Sequence, residues 1–239
     1  MEVNEVLTFK LKGKLAHFKK FYSNKSSLTY KVPTRTVLMG MVASILEYSR
    51  DSYYDLLAPD KAKFGVKILK AGVPHFECVN YLKDGGGRTQ VRLQLLLPKE
   101  DVVEYQVFFT HQEKSLVKEL KEKLKKKNLG YGLFLGQRQF RATAEFIDAV
   151  SAEKITDYKG EITTLTFKDN IKSLDLEGEL RLNTPNMPIS FKKVKSGREP
   201  TKVAKVCFEE RGHSLQGTFK EAFRLGRENI SFFTSVSEG

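Results

Sequence analysis

VEYQVFFTHQEKSLVKELKEKLKKK, residues Val103 to Lys127, changes its periodicity halfway along. Val103, Tyr105, Val107 and Phe109 alternate with Glu104, Gln106 and Phe108, the pattern of a strand with one buried face. From Gln112 onward Leu116, Leu120 and Leu124 recur at i, i+4 and i+8, which predicts a helix reaching Lys127. Downstream, Phe140 to Val150 reads as a strand, although Ala142-Thr143-Ala144-Glu145 also tolerates helix. Upstream, Leu7, Phe9 and Leu11 alternate with Thr8, Lys10 and Lys12 in another half-buried strand. After a basic, Ser-rich loop, Pro33 and Thr34 signal a helix start, and Leu38, Val42, Ile45 and Leu46 carry helical spacing to about Arg50. Phe64 to Lys70 and Phe76 to Leu82 read as two strands turned at Ala71-Gly72-Val73-Pro74. The glycine turn Lys83-Asp84-Gly85-Gly86-Gly87-Arg88 leads into Val91 to Leu97 and suits the tip of a projecting hairpin.

The order is β-α-β-(β-hairpin)-β-α-β. With the hairpin read as an insertion, the fold class is α+β, a ferredoxin-like or RRM-like fold. Residues 1–150 form this domain, with the hairpin as a thumb near 83–98. Its sheet buries one face against the helices and leaves the other open, the face an RRM offers to RNA. Residues 151–239 show short β-like runs (Ile162 to Phe167, Ile171 to Leu176, Leu180 to Leu182, Val203 to Phe208) and predict a smaller β-rich region. No internal repeat or low-complexity linker occurs.

The chain has 239 residues, 40% of them hydrophobic, which suits a globular protein of one large or two small domains. No apolar run approaches the ~20 residues of a membrane span. The start, Met1-Glu2-Val3-Asn4-Glu5, has no basic and apolar pattern of a secretory signal, so a cytoplasmic location is expected. Cys78 and Cys207 form no disulfide framework or zinc spacing and read as small core residues. The formal net charge is +12, and an excess of this sign points to a polyanionic partner. Residues 10 to 35 hold Lys10, Lys12, Lys14, Lys19, Lys20, Lys25, Lys31 and Arg35 and no acid, with His17, Phe18, Phe21, Tyr22 and Tyr30 interleaved. Phosphates need charge and unstacked bases need a flat partner, so this mixture suits RNA. The competing account is a solvated face plus core aromatics. A second acid-poor run, Lys192 to Lys205, holds six cations against Glu199 alone.

The loop Leu129-Gly130-Tyr131-Gly132-Leu133-Phe134-Leu135-Gly136-Gln137-Arg138 follows the second helix. Gly130 suits the C′ position of that helix. Gly132 and Gly136 suit close backbone approach or a phosphate cradle, but the spacing is not that of a nucleotide P-loop. The predicted helix Gln112–Lys127 carries seven lysines against three glutamates, and such a helix is ordinarily a solvated face. No catalytic constellation stands out: His17, His75, His111 and His213 are scattered. No metal motif or cofactor motif occurs. A metal-independent ribonuclease built from one His with Tyr and Lys is the alternative function, with His17 its best candidate and His111 next.

Ser27-Leu28-Thr29-Tyr30-Lys31-Val32-Pro33-Thr34-Arg35-Thr36-Val37-Leu38-Met39-Gly40 resembles the start of the first helix in Cas family five, a branch of the RAMP superfamily. There a Tyr-x-x-Pro-[ST]-x-[ST] stretch leads into a helix with a glycine one turn in. Leu135-Gly136-Gln137-Arg138-Gln139-Phe140-Arg141-Ala142 is similar to that family's Leu-Gly-x-[RS] loop. The resemblance covers the first 150 residues. It implies a non-catalytic subunit of a type I Cascade complex, type I-B-like, that caps the 5′ handle of the crRNA. The implied partners are the large subunit and the backbone subunit of Cas family seven, with target DNA met only indirectly and no membrane. A hairpin thumb is implied at the handle. One branch of the family, in type I-C, cleaves precursor RNA with a Tyr–Lys–His set containing adjacent Lys and His, and no such dipeptide occurs here. The expected RNA-binding residues are Lys19, Lys20, Tyr30, Thr34, Arg35, Thr36, Arg88, Arg92, Gly136, Gln137, Arg138 and Arg141. Thr34 and Thr36 are expected to offer hydroxyls, Arg35 a bidentate phosphate contact and Tyr30 a stacking face. The bland alternative makes Thr34 a helix cap and Tyr30 core.

Overall fold

The computed structural model describes residues 3, 5–22, 27–83, 85–176, 178–195 and 197–235. Of the residues named above, Lys25, Asp84, Met1, Glu2 and Asn4 lie outside these. In chain order the first elements are β1 (Glu5–Gly13), β2 (Phe18–Lys19), β3 (Thr29–Tyr30), α1 (Arg35–Ile45), β4 (Ala62–Lys70), β5 (Gly72–Leu82) and β6 (Arg88–Pro98). Then come β7 (Val103–His111), α2 (Lys114–Lys125), β8 (Leu133–Phe134) and β9 (Arg141–Ser151). The remainder is β10 (Glu153–Ile162), β11 (Thr166–Phe167), a 3₁₀ turn (Lys168–Asn170), β12 (Ile171–Leu174), β13 (Leu182–Asn183), β14 (Asn186–Val194), β15 (Gly197–Glu209), β16 (Leu215–Leu225) and β17 (Glu228–Ile230).

The period-2 strands assemble into one antiparallel sheet in the order β4-β7-β1-β9-β8. Its register sets the apolar positions opposite one another: Leu7 faces Phe109, Phe9 faces Val107 and Leu11 faces Tyr105, while Phe64 also faces Phe109. A one-residue slip would turn all of them to the other side, so burial specifies the register. Both helices lie between strands as expected from periodicity. On α2, Leu116, Val117, Leu120 and Leu124 are buried, each such Leu contributing roughly 1.5–3 kcal/mol. Its lysines face outward. Lys123 pairs with Glu47 at 2.6 Å and Lys121 with Glu5 at 3.5 Å, so this helix is the solvated face that its composition suggests.

α1 stops at Ile45, one turn before the expected end at Arg50. Eight of its eleven residues are buried, because it packs against the sheet on one side and β14 on the other. Met187 and Ile189 of β14, with Leu165, Val206, Phe208 and Phe233, belong to the same apolar cluster as α1 and the sheet. The stretch beyond residue 150 is β-rich as read, but it shares the main core and holds longer strands, β10, β14 and β16, than its short apolar runs suggested.

Three expectations are corrected here. The second face of the sheet is not open. Val6 and Phe108 on that face form a cluster with Phe223, Leu225, Ile230 and Phe232. Ser231 packs over Gly65, where a Cβ would stand 2.8 Å from the Ser231 carbonyl oxygen. Farther along, Lys10 pairs with Glu104 and Lys67 with Glu228, so ion pairs and the C-terminal segment occupy what an RRM would expose. Next, the predicted strands at 64–70 and 76–82 do not pair with each other. β5 pairs with β6 in a separate two-stranded hairpin from Gly72 to Pro98, longer than the expected 83–98. Eleven residues of strand reach ~36 Å at 3.3 Å each, and the base is anchored by bridges from Ala16 to Leu96 and Ser27 to Leu93. Cys78 lies on this hairpin and is exposed, whereas Cys207 is buried. Finally, Gly130 is not the C′ residue of α2. Lys127 takes the left-handed conformation there, at φ 56°, and Gly130 instead packs on the end of α1, 2.1 Å from the Ser44 carbonyl at its notional Cβ.

Candidate nucleic-acid interface

Thr34 is extended, at φ −71° and ψ 161°, and its hydroxyl accepts from Val37 N–H at 3.3 Å. It is thus the N-cap of α1, and Thr36 Oγ1 lies 3.0 Å from it. From this start α1 forms the floor of a groove of about 800 Å³ lined by Thr34, Thr36, Val37, Gly40, Met41 and Ser44. One wall is the loop from Tyr131 to Arg138. The other is β14 and β15, through Pro188, Phe191 and Arg198, and Lys19, Phe21, Arg50 and Tyr53 complete the lining. Among the described residues four cations, Lys19, Arg50, Arg138 and Arg198, line it and no carboxylate does. Arg50 lies 3.5 Å from Asp51, and the Arg198 guanidinium stacks 5.2 Å from the Phe191 ring centroid. Phe21 is 41% exposed and Tyr131 66% exposed. Exposed rings beside clustered cations suit stacked bases joined by phosphates.

The groove gathers Lys19, Thr34, Thr36, Gly136, Gln137 and Arg138 of the expected set. Two expected contacts are overturned by burial. Arg35 is completely buried. Its Nη1 donates to Ile189 O at 2.7 Å, and its Nη2 to Leu57 O and Ala62 O, both at 2.8 Å. Burial pushes its pKa down to about 9, opposed by the charge of Asp60, and three carbonyl acceptors keep the guanidinium charged at neutral pH. It joins three segments of the core and does not reach a phosphate. Tyr30 is 2% exposed and donates to Asn186 O at 2.6 Å, so its ring is core; Lys20 lies over that ring at 5.7 Å. Burial, helped by Tyr22, pushes the Tyr30 phenol well above its ordinary value.

Gly136 has φ +97°, and a Cβ there would stand 1.8 Å from the His17 carbonyl oxygen. The close approach served by this glycine is therefore to the protein's own backbone, next to the bond from His17 N–H to Leu135 O at 2.9 Å. Arg88 and Arg92 sit on β6, outside the groove lining, with Arg92 stacked 4.6 Å from Phe76. Arg141 starts β9 and lines a separate cavity of about 680 Å³ with Lys12, Lys14 and Phe140. Phe21, Arg50, Tyr53, Tyr131, Phe191 and Arg198 were absent from the expected set. Arg198 was signalled by the second acid-poor run, and Tyr131 by its place between two glycines. Arg50 and Tyr53 carried no signal.

Neither histidine candidate is poised for proton transfer. His17 is 1% exposed. Its Nδ1 donates to Gln94 O at 2.7 Å, which leaves Nε2 to accept from Ser27 Oγ at 3.0 Å. Burial, reinforced by Lys19 and opposed by the Gln94 bond, lowers its pKa. His111 donates from Nε2 to Leu56 O at 2.9 Å and accepts from Glu113 N–H at Nδ1. Among the described residues no group of three or more His, Cys, Asp or Glu is placed to hold a metal, and no helix is long and apolar enough to cross a membrane.

The sheet with its two helices is an α+β fold that carries a basic groove over α1. A family model described as "CRISPR-associated protein (Cas_Cas5)" matches residues 6–174, and the chain belongs to that family. Among solved structures it is similar to "Crystal structure of a CRISPR protein from Archaeoglobus fulgidus", at 12% identity and a TM-score of 0.58, over 95% of this chain and 98% of that one. It is also similar to "CRISPR RNA-guided surveillance complex", at 14% identity and a TM-score of 0.55, over 89% of this chain and 91% of that one. A third, "Crystal structure of Cas protein", aligns at 17% identity and a TM-score of 0.51, over 87% of this chain and 95% of that one. At these identities the likeness is one of fold. No curated protein matches.

Proposed function

We propose that this protein is a non-catalytic subunit of a type I CRISPR effector complex that grips the 5′ handle of the guide RNA in the groove over α1. The observation that carries the reading is the lining itself, four cations with exposed aromatics and no carboxylate. Family membership supports it, as does the fold shared with a chain of a CRISPR RNA-guided surveillance complex. The sheet order β4-β7-β1-β9 with one helix after β1 and one after β7 supports the split βαβ, ferredoxin-like core expected from sequence. Other subunits of the complex, the large one and the Cas family seven backbone, are the protein partners on this reading, and target DNA is met through them. The engaged nitrogens of His17 and His111 favour binding over cleavage.

The test is titration with handle RNA and with a scrambled RNA of equal length. Tyr131→Ala removes a stacking face worth roughly 1–3 kcal/mol per base, so affinity should fall about tenfold or more with unchanged melting temperature. Arg138→Ala should lower the slope of log K against log salt by about 0.7, one phosphate on a single strand. Wild-type affinity in both variants would place the RNA elsewhere.

A further inference from the structure

We propose that the β14–β15 hairpin is a second RNA-binding wall, which holds the backbone of the single-stranded RNA as it leaves the groove. This rests on the groove reading and extends it. Phe191 and Arg198 belong both to the groove lining and to the hairpin. The register sets Phe191 opposite Pro200, Lys192 opposite Glu199 and Lys193 opposite Arg198. Directly opposed residues of an antiparallel pair share a face, and faces alternate along each strand. Phe191, Lys193, Arg198 and Pro200 therefore share the face that enters the groove, and the stacking of Arg198 on Phe191 agrees. Lys192 and Glu199 share the other face, where they lie 3.9 Å apart.

The groove face thus continues past Phe191 to Lys193, which lies directly beside Arg198, and Lys195 follows at the tip. Lys193 and Lys195 are exposed. Two residues of strand advance ~6.7 Å, so these lysines extend a line of positive charge outward from the groove wall. The hairpin presents no exposed ring beyond Phe191, so it reads phosphate and not base. Its contribution is affinity that grows with RNA length and is indifferent to sequence.

The register supplies its own control. Two RNAs are titrated at several salt concentrations: the shortest handle oligonucleotide that saturates the groove, and the same RNA extended at either end. With wild-type protein one extension should bind tighter than the short form. Lys193→Ala with Lys195→Ala should abolish that gain and lower the salt slope on the extended RNA by about 1.4, two contacts at 0.7 each, while the short RNA binds as before. Lys192→Ala should change neither. Equal losses from Lys192→Ala and Lys193→Ala would reveal diffuse attraction and overturn the proposal, as would extension without gain in wild type. Those outcomes, with short-RNA binding still dependent on Tyr131 and Arg138, leave the groove reading standing. Failure of the short RNA to bind wild type overturns both. Normal RNA binding by the double variant, with defective assembly of the protein subunits, would assign the hairpin to a protein partner and overturn the proposal.

Discussion

Arg35 donates to the carbonyls of Ile189, Leu57 and Ala62, which come from three segments far apart in sequence. Arg35→Ala leaves those acceptors buried and unpaired, so about 3 kcal/mol of stability should be lost. A melting or denaturant curve checks this, and RNA selectivity in the surviving folded protein should be normal. Lys63, completely buried by surface area, donates to Ser235 O at 2.5 Å. Burial, then repulsion from Arg35, pushes its pKa down to about 8, with Glu221 opposing. An unfolded lysine titrates near 10.4, so between about pH 8 and pH 10.4 the unfolded chain binds more protons and stability rises with pH. The full amplitude is on the order of 3 kcal/mol. Melting curves across that window should climb in wild type relative to Lys63→Met, and parallel curves would refute the assignment.

The elements that build the groove depend on glycines for close contact. Gly136→Ala would drive a Cβ into the His17 carbonyl from a backbone at φ +97°, where a side chain is strained in any case. The melting temperature should fall by several degrees, on the scale of about 2–4 °C per kcal/mol for a chain of this size, with RNA affinity changed only through folding. Gly136 is thus a structural turn beside the groove, and Arg138, two residues on, is the cation that the loop places in the groove lining. The β5–β6 hairpin is built differently: Phe76, Tyr81 and Leu82 are exposed along it, while Leu93, Leu95 and Leu96 anchor its base in the core. On α1, burial on both sides explains why a helix with a basic N-terminal sequence presents little charge of its own.

Across the whole molecule, the C-terminal segment closes the second face of the sheet. Phe233 N–H donates to Phe64 O at 2.9 Å, and Phe232 packs with Phe108 and Phe223. Phe232→Ala should cost about 3–5 kcal/mol, measurable by denaturant unfolding, and should create no new RNA site on the sheet. Incubation of clean protein with repeat RNA, with and without chelator, should yield no specific cleavage; cleavage abolished by His17→Ala or His111→Ala would favour the endoribonuclease alternative. β1, β4, β7, β9 and both helices were legible in the sequence because each buries one face with regular period, and that period is local information. β10, β14 and β16 were not, because Gly160, Pro188 and Gly217 interrupt them, and much of β10 and β14 is exposed or half-buried. The sequence by itself determined the α+β class, the basic character, the start of α1 and the loop that forms one wall of the groove. Only the tertiary structure decided which cations reach solvent. Arg35 and Arg138 look alike in sequence, but the path of the chain surrounds the first with carbonyls and leaves the second at a groove. It likewise brought Arg198 and Phe191, more than fifty positions beyond the loop, to the opposite wall. Charge counts along a chain fix the sign of a partner, whereas burial and long-range packing choose which charges remain to meet it.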